Sequence, residues 1–249
     1  MTNTLSVIDT LNKHVTVRFF TGEPVSDEML HTILNAARRS PTSSNMQTYS
    51  IVVVRDAEKK KKLAEYAGNQ KHIETCDVFV AFCADLRRLE TAAEMHGEVL
   101  AKNLEISLVS TVDAALVGMS VQLAAESCGL GAVMVGGMRN YPEEVAKLLG
   151  FPSGVFVVYG MSIGWPDWNK VPPQKPRLAE ELIIHHEAYN DADPRELLQQ
   201  YDGALADYYG RQDRNQHEAA WTGPIAKRLN TPRRPQLREQ LARLGFPFE

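Results

Sequence analysis

The sequence predicts an α+β protein, a sheet of short apolar strands flanked by helices, and three observations predict it. Segments of helical period and segments of strand period mix without the regular βαβ alternation of a parallel-sheet fold. The runs "SIVVV", "DVFVAFCAD", "GAVMVGG" and "VFVVYGMSIG" have strand length, β-branched or apolar content and turn residues at their ends. Leu104 to Cys128 carries apolar and small residues on nearly every helical face, so it is expected to be buried all round.

Taken in order, Val7, Ile8 and Leu11 sit at helical spacing, and Ser26 with Asp27 and Glu28 starts a second amphipathic helix through "EMLHTILNAARR". The Pro/Ser/Thr/Asn loop "SPTSSNMQTY" then feeds the first strand. "DAEKKKKLAEYAG" reads as a helix whose Lys59–Lys62 run is a solvated face. Beyond the second strand, Leu86 to Glu98 reads as an exposed helix. A wholly buried helix of about 25 residues, roughly 37 Å long, exceeds what one such domain covers alone. A homodimer is therefore expected. The third strand ends in Gly136-Gly137, and Pro142, Glu143 and Glu144 open the next helix. After "WPDWNKVPPQKPRL" the texture turns polar and Arg-rich, dividing the chain into a core, residues 1–176, and a helical C-terminal excursion, residues 177–249.

Composition excludes several functions. A net charge of −4 argues against a nucleic-acid partner, which needs an excess of gathered Lys and Arg. Cys76, Cys83 and Cys128 lie in apolar surroundings without C-x-x-C spacing, which suits buried free thiols in a reducing cytosol. The N-terminus lacks a basic start followed by an apolar core, and no apolar run is expected to approach the roughly 20 residues that span a bilayer. No membrane partner and a cytoplasmic location follow as expectations. Gly129-Leu130-Gly131 follows a helix rather than a strand and fails the dinucleotide fingerprint. His185-His186-Glu187 are adjacent and point in different directions, so no metal site is expected there.

The stretch "HVTVRFF" holds the strongest polar pattern. His14, Thr16 and Arg18 are two apart, and in an extended segment they share a face that offers donors to an anion. Lys175 and Arg177 repeat that spacing around Pro176, whose ring stiffens the backbone. The diglycine at a strand end would let a flat ligand approach the backbone with no Cβ in the way.

The blocks "HVTVRFFTGEPV", "RSPTSSNMQ", "GNQ", "AESCGLGAVMVGGMRN" and "KPRL", in this order, resemble the FMN-dependent nitroreductase superfamily, in its oxygen-insensitive nitroreductase and NADPH-flavin oxidoreductase branch. The resemblance runs from about Val7 to about Trp221. It implies a mainly antiparallel sheet flanked by helices, in a domain-interlocked homodimer. It further implies FMN as cofactor, NADPH or NADH as electron donor, and a nitroaromatic, quinone or free flavin as acceptor in a ping-pong reaction, with a non-catalytic flavin carrier as the alternative. By the same resemblance His14, Thr16, Lys175 and Arg177 would hold the FMN phosphate, and Arg18 would stand by N1 and O2, where a guanidinium stabilises the charge of the reduced ring. Gln70 would meet the pyrimidine edge, and Met134, Val135, Gly136, Gly137 and Met138 would lie near N5, which carries the hydride. Thr42, Ser43, Asn45 and Gln47 would reach the FMN of the other subunit. Arg211 and Arg214 would bind the NADPH 2′-phosphate, with Gln216 at a position usually basic. The family usually carries Arg at the place of Val15, whose backbone N–H would still face the phosphate, and often Ser at the place of Thr16.

Overall fold

The computed structural model describes residues 6–212 and 221–248. The chain divides into two compact units, Met1–Val171 with Arg234–Glu249, and Pro172–Arg233. Residues 234–249, expected in the excursion, thus return to the first unit. The reason is apolar burial: the Phe246 ring is fully buried, 4.6 Å from that of Phe156, and Leu241 joins the same core.

In chain order the first unit runs α1 (Val7–Lys13), α2 (Asp27–Ala37), β1 (Tyr49–Val54), α3 (Ala57–Tyr66), α4 (Lys71–Thr75), β2 (Val78–Asp85), α5 (Arg87–Glu94), α6 (Leu104–Ser127), β3 (Gly131–Val135), α7 (Pro142–Leu149) and β4 (Val155–Gly164). The second unit holds α8 (Arg195–Gly210) and α9 (Thr222–Leu229), and α10 (Leu237–Arg243) belongs to the returning segment. Ser6, Ser26 and Asp56 cap α1, α2 and α3 by accepting from the backbone N–H three residues on, the local signal that starts each helix. In the second unit Asp202 of α8 does the same for the Trp221 and Thr222 N–H groups at the start of α9.

The four strands pair antiparallel in the order β1-β2-β4-β3. β2 and β4 are central and buried along their whole length, which is why both read as continuous apolar runs rather than alternating ones. Two clusters of buried side chains cover the sheet, one with α2 and α6, the other with α3, α4 and α7. The α+β expectation holds in this sheet and its helical flanks.

Three local expectations are corrected, on the length of apolar runs, the Lys59–Lys62 face and Cys128, while the all-round burial expected of α6 is met on one side within the single chain. α6 is buried on one side only: Ala114, Val117, Val121 and Ala125 are at 0% exposure, whereas Leu104, Leu108, Val112 and Leu116 stand 40–54% exposed along an i, i+4 row. α6 is also long and apolar enough to cross a membrane by length and composition, although it packs here on α2 and β2. The Lys59–Lys62 face is not wholly solvated: Lys60 is buried and donates from Nζ to the carbonyls of Cys76 and Asp77, two acceptors just past the end of α4. Cys76 and Cys83 are buried, but Cys128 is exposed, because it caps the end of α6 where the chain turns at Gly129.

Candidate functional site

Residues 14–20 run beside the sheet edge. The Val17 N–H donates to Ala132 O on β3 at 3.0 Å, and Phe20 bridges Pro166. The close approach depends on Gly131, since a Cβ there would stand 2.5 Å from Val17 Cγ2. The second glycine of the rejected fingerprint therefore serves packing. His14, at the head of this segment, places Nδ1 2.7 Å from Glu126 Oε1, and Gln122 donates to the same oxygen at 3.0 Å. Glu126 occupies the last turn of α6, where the helix dipole opposes an anion, and the imidazole offsets that cost. His14, Val15, Lys13 and Trp168 line a cavity of about 210 Å³ with Gly129 and Leu130. Thr16 is half-buried beside them.

Arg18 is exposed, and among the described residues it makes no hydrogen bond or ion pair. Its charge is felt at His72 of α4, which is 7% exposed. Burial first, and the Arg18 charge second, push the His72 pKa down to about 4, so the ring is neutral at pH 7. His72 Nε2 lies 3.0 Å from Gln70 Oε1, and Gln70 Nε2 donates to Ala67 O at 2.8 Å. Ala67 is in turn the surface against which Gly137 packs, since a Cβ on Gly137 would come within 2.8 Å of Ala67 O. Arg18, Gln70 and Gly137, far apart in sequence, are thereby brought to one locality. At Gly137 the missing Cβ is thus required by a protein contact, whereas at Gly136 a Cβ would come no nearer than 3.4 Å to the Arg139 side chain. Val135 and Met138 have core side chains, while Gly136 is half-buried and Met134 is 42% exposed.

The loop holding Thr42, Ser43, Asn45 and Gln47 departs from ordinary backbone geometry. Ser44, Asn45 and Gln47 adopt φ of 46°, 56° and 51°, a left-handed conformation that side chains other than glycine rarely take. Asp113 of α6 holds both ends. Its Oδ1 accepts from the Ser43 N–H at 3.1 Å, and its Oδ2 accepts from the Thr48 N–H at 3.1 Å and from Thr48 Oγ1 at 2.8 Å. Beside this loop, Leu108, Val112 and Leu116 line an open groove of about 430 Å³.

In the second unit Lys175 Nζ donates to the Tyr209 hydroxyl at 3.0 Å and stands 5.2 Å over that ring, while Arg177 folds back to Lys175 O at 3.2 Å. Arg211 ends α8, exposed. Arg214 and Gln216 lie outside the described residues. Among the described residues no group of three or more His, Cys, Asp or Glu is placed to hold a metal ion.

Sequence reasoning missed His72, Asp113 and Glu126. Two left a signal: Asp113 is an acid in the middle of an apolar helix, which must find donors if buried, and Glu126 is an acid where the dipole disfavours one. His72 left none, because its partners come from a neighbouring loop and from β4.

Comparison with known proteins agrees over nearly the whole chain. The family model described as Nitroreductase family matches residues 11–165, and that of the Nitroreductase family, C-terminal domain, matches residues 175–249. An NADPH-flavin oxidoreductase of Vibrio harveyi is 36% identical over 97% of this chain and 98% of its own. An oxygen-insensitive NADPH nitroreductase of Salmonella typhimurium is 37% identical over 96% and 97%. Among solved structures, NfrA2 of B. megaterium superposes with a TM-score of 0.93 at 39% identity, covering 98% of each chain. The Vibrio harveyi NADPH:FMN oxidoreductase complexed with NAD+ does so with a TM-score of 0.87 at 34% identity, covering 97% and 98%. With its antiparallel sheet, its long apolar helix and both family regions present, the chain belongs to the nitroreductase family.

Proposed function

We propose that this protein binds FMN and passes electrons from NADPH or NADH to a nitroaromatic, a quinone or a free flavin, donor and acceptor using one face of the cofactor in turn. The observation that carries the reading is the meeting of an unpaired guanidinium with a pinned amide: Arg18 acts on the same His72 that holds Gln70. A cation beside a hydrogen-bond donor suits the carbonyl-rich pyrimidine edge of a flavin. Bound FMN supplies a two-electron hydride centre at its N5.

The chain's own groups bind and tune. Arg18 stabilises negative charge at the N1–C2=O side, and Gln70 fixes the edge beside it. His14, Thr16 and the Val15 N–H take the phosphate, with Lys175 and Arg177 as further cations for it. Backbone at Val135, Gly136 and Gly137, flanked by Met134 and Met138, excludes water near N5. Thr42, Ser43, Asn45 and Gln47 serve the site of a second copy, which covers the open Leu104–Leu116 row. Arg211 and Arg214 favour the 2′-phosphate of NADPH. Relatives of similar identity bear the names Cr(VI) reductase, from Pseudomonas, and FMN reductase (NADPH), from Bacillus subtilis, a spread of acceptors that fits a shared open face.

Titration of the purified protein with FMN, followed by anaerobic mixing with NADPH and with NADH, tests this. Saturable binding and loss of the flavin band within seconds are expected, and no binding at micromolar FMN would refute it. Arg18→Ala should slow that loss more than it weakens binding, whereas Arg177→Ala should weaken binding about tenfold, the cost of one charge-assisted hydrogen bond.

A further inference from the structure

The polar network around His72 specifies its own proton positions. Gln70 presents one end of its amide to Ala67 O at 2.8 Å, and a carbonyl oxygen only accepts, so that end is the NH2 group. The other end, Oε1, therefore faces His72 Nε2 at 3.0 Å. Oε1 also only accepts, so Nε2 carries the ring proton. The neutral ring then has a bare Nδ1, and Ser162 Oγ, 3.0 Å away and fully buried on β4, must be the donor to it. Each assignment forces the next, from the end of α3 to the middle of the sheet.

An imidazolium could also donate from Nε2, but burial and the neighbouring Arg18 charge disfavour it at neutral pH. Neutrality matters in its own right. It leaves Arg18 to supply the positive charge at this end of the site.

We propose that His72 is a positioning residue that locks the Gln70 amide in one of its two orientations, so that Gln70 offers a bound ring its second N–H, a donor for a carbonyl oxygen. An unlocked amide could turn over and present its oxygen instead, and half of its orientations would set two acceptors against each other. This rests on the FMN reading above for the identity of the ring, while the locking itself rests on distances within the protein.

Two measurements test the proposal. A long-range proton–nitrogen NMR spectrum of the full-length protein labelled at histidine nitrogen should show His72 as the Nε2–H tautomer at pH 7. An Nδ1–H tautomer overturns the proposal whether or not FMN binds. Binding of FMN, read by quenching of its fluorescence, should weaken about tenfold in His72→Phe and again in Gln70→Ala. The double variant should be no weaker than Gln70→Ala alone, because His72 acts through that amide. His72→Gln, whose own amide N–H can replace Nε2–H, should restore most of the affinity and the wild-type flavin absorption band. Additive losses, or no recovery in His72→Gln, overturn the proposal and leave the FMN reading standing. Failure of the wild type to bind FMN ends both.

Discussion

At neutral pH His72 is uncharged in the folded chain, while in the unfolded chain it titrates near its ordinary 6.5. Between there and its folded value of about 4 the unfolded state binds more protons, so stability rises with pH across that window and is lost as pH falls through it. The complete loss amounts to about 3 kcal/mol. The groups that face the ring are Gln70 from its own loop, Ser162 from β4 and the charge of Arg18, and Arg18 does not titrate in this range. His72→Gln should flatten that part of the stability curve. Urea unfolding at pH 5 and pH 7 measures it, and an equal pH dependence in variant and wild type would contradict the assignment. At this scale legibility depended on the distance to partners. Arg18 and Gln70 stood out because family motifs carry them, whereas the buried Lys60 did not, since its acceptors, Cys76 O and Asp77 O, lie 16 and 17 residues away across α4.

At the scale of elements, the strands were legible because β-branched runs bounded by turn residues have few other solutions. The one-sided burial of α6 was not. A helix apolar on every face carries no stripe to say which side meets its own sheet and which is left over. Asp113 resolves part of that ambiguity, since its carboxylate must face the three donors from Ser43 and Thr48. It ties the strained loop to the middle of the helix. Asp113→Ala should leave those donors unsatisfied and lower stability by roughly 2–4 kcal/mol. It should also weaken FMN binding about tenfold by releasing Ser44, Asn45 and Gln47 from their left-handed backbone. Thermal unfolding and FMN titration read the two effects separately, and a destabilised variant with unchanged FMN affinity would confine Asp113 to a purely structural role.

For the whole molecule, the open row Leu104, Leu108, Val112 and Leu116 together with the groove beside loop 42–47 is the surface a second copy should cover. Val112, 54% exposed in the single chain, is the place to test it. Val112→Glu puts a charge into that contact with little cost to the isolated fold. Sedimentation equilibrium should then report a dimer for the wild type and a monomer for the variant, and FMN affinity should fall with it. A dimeric variant with full FMN affinity would remove the row from the interface. The change of texture after "WPDWNKVPPQKPRL" falls near the start of the unit Pro172–Arg233, but the return of residues 234–249 left no such mark, because Phe246 and Phe156 are separated in sequence by the entire second unit.

Cys128 has a practical side. Its thiol is exposed two residues beyond Glu126, whereas Cys76 and Cys83 are buried and held protonated, the former pushed up to about 11 and the latter higher still. A maleimide dye added to the native protein thus has one handle, and it sits next to the His14 cavity. Fluorescence from that handle can follow occupancy of the N-terminal segment without altering any residue assigned to a ligand.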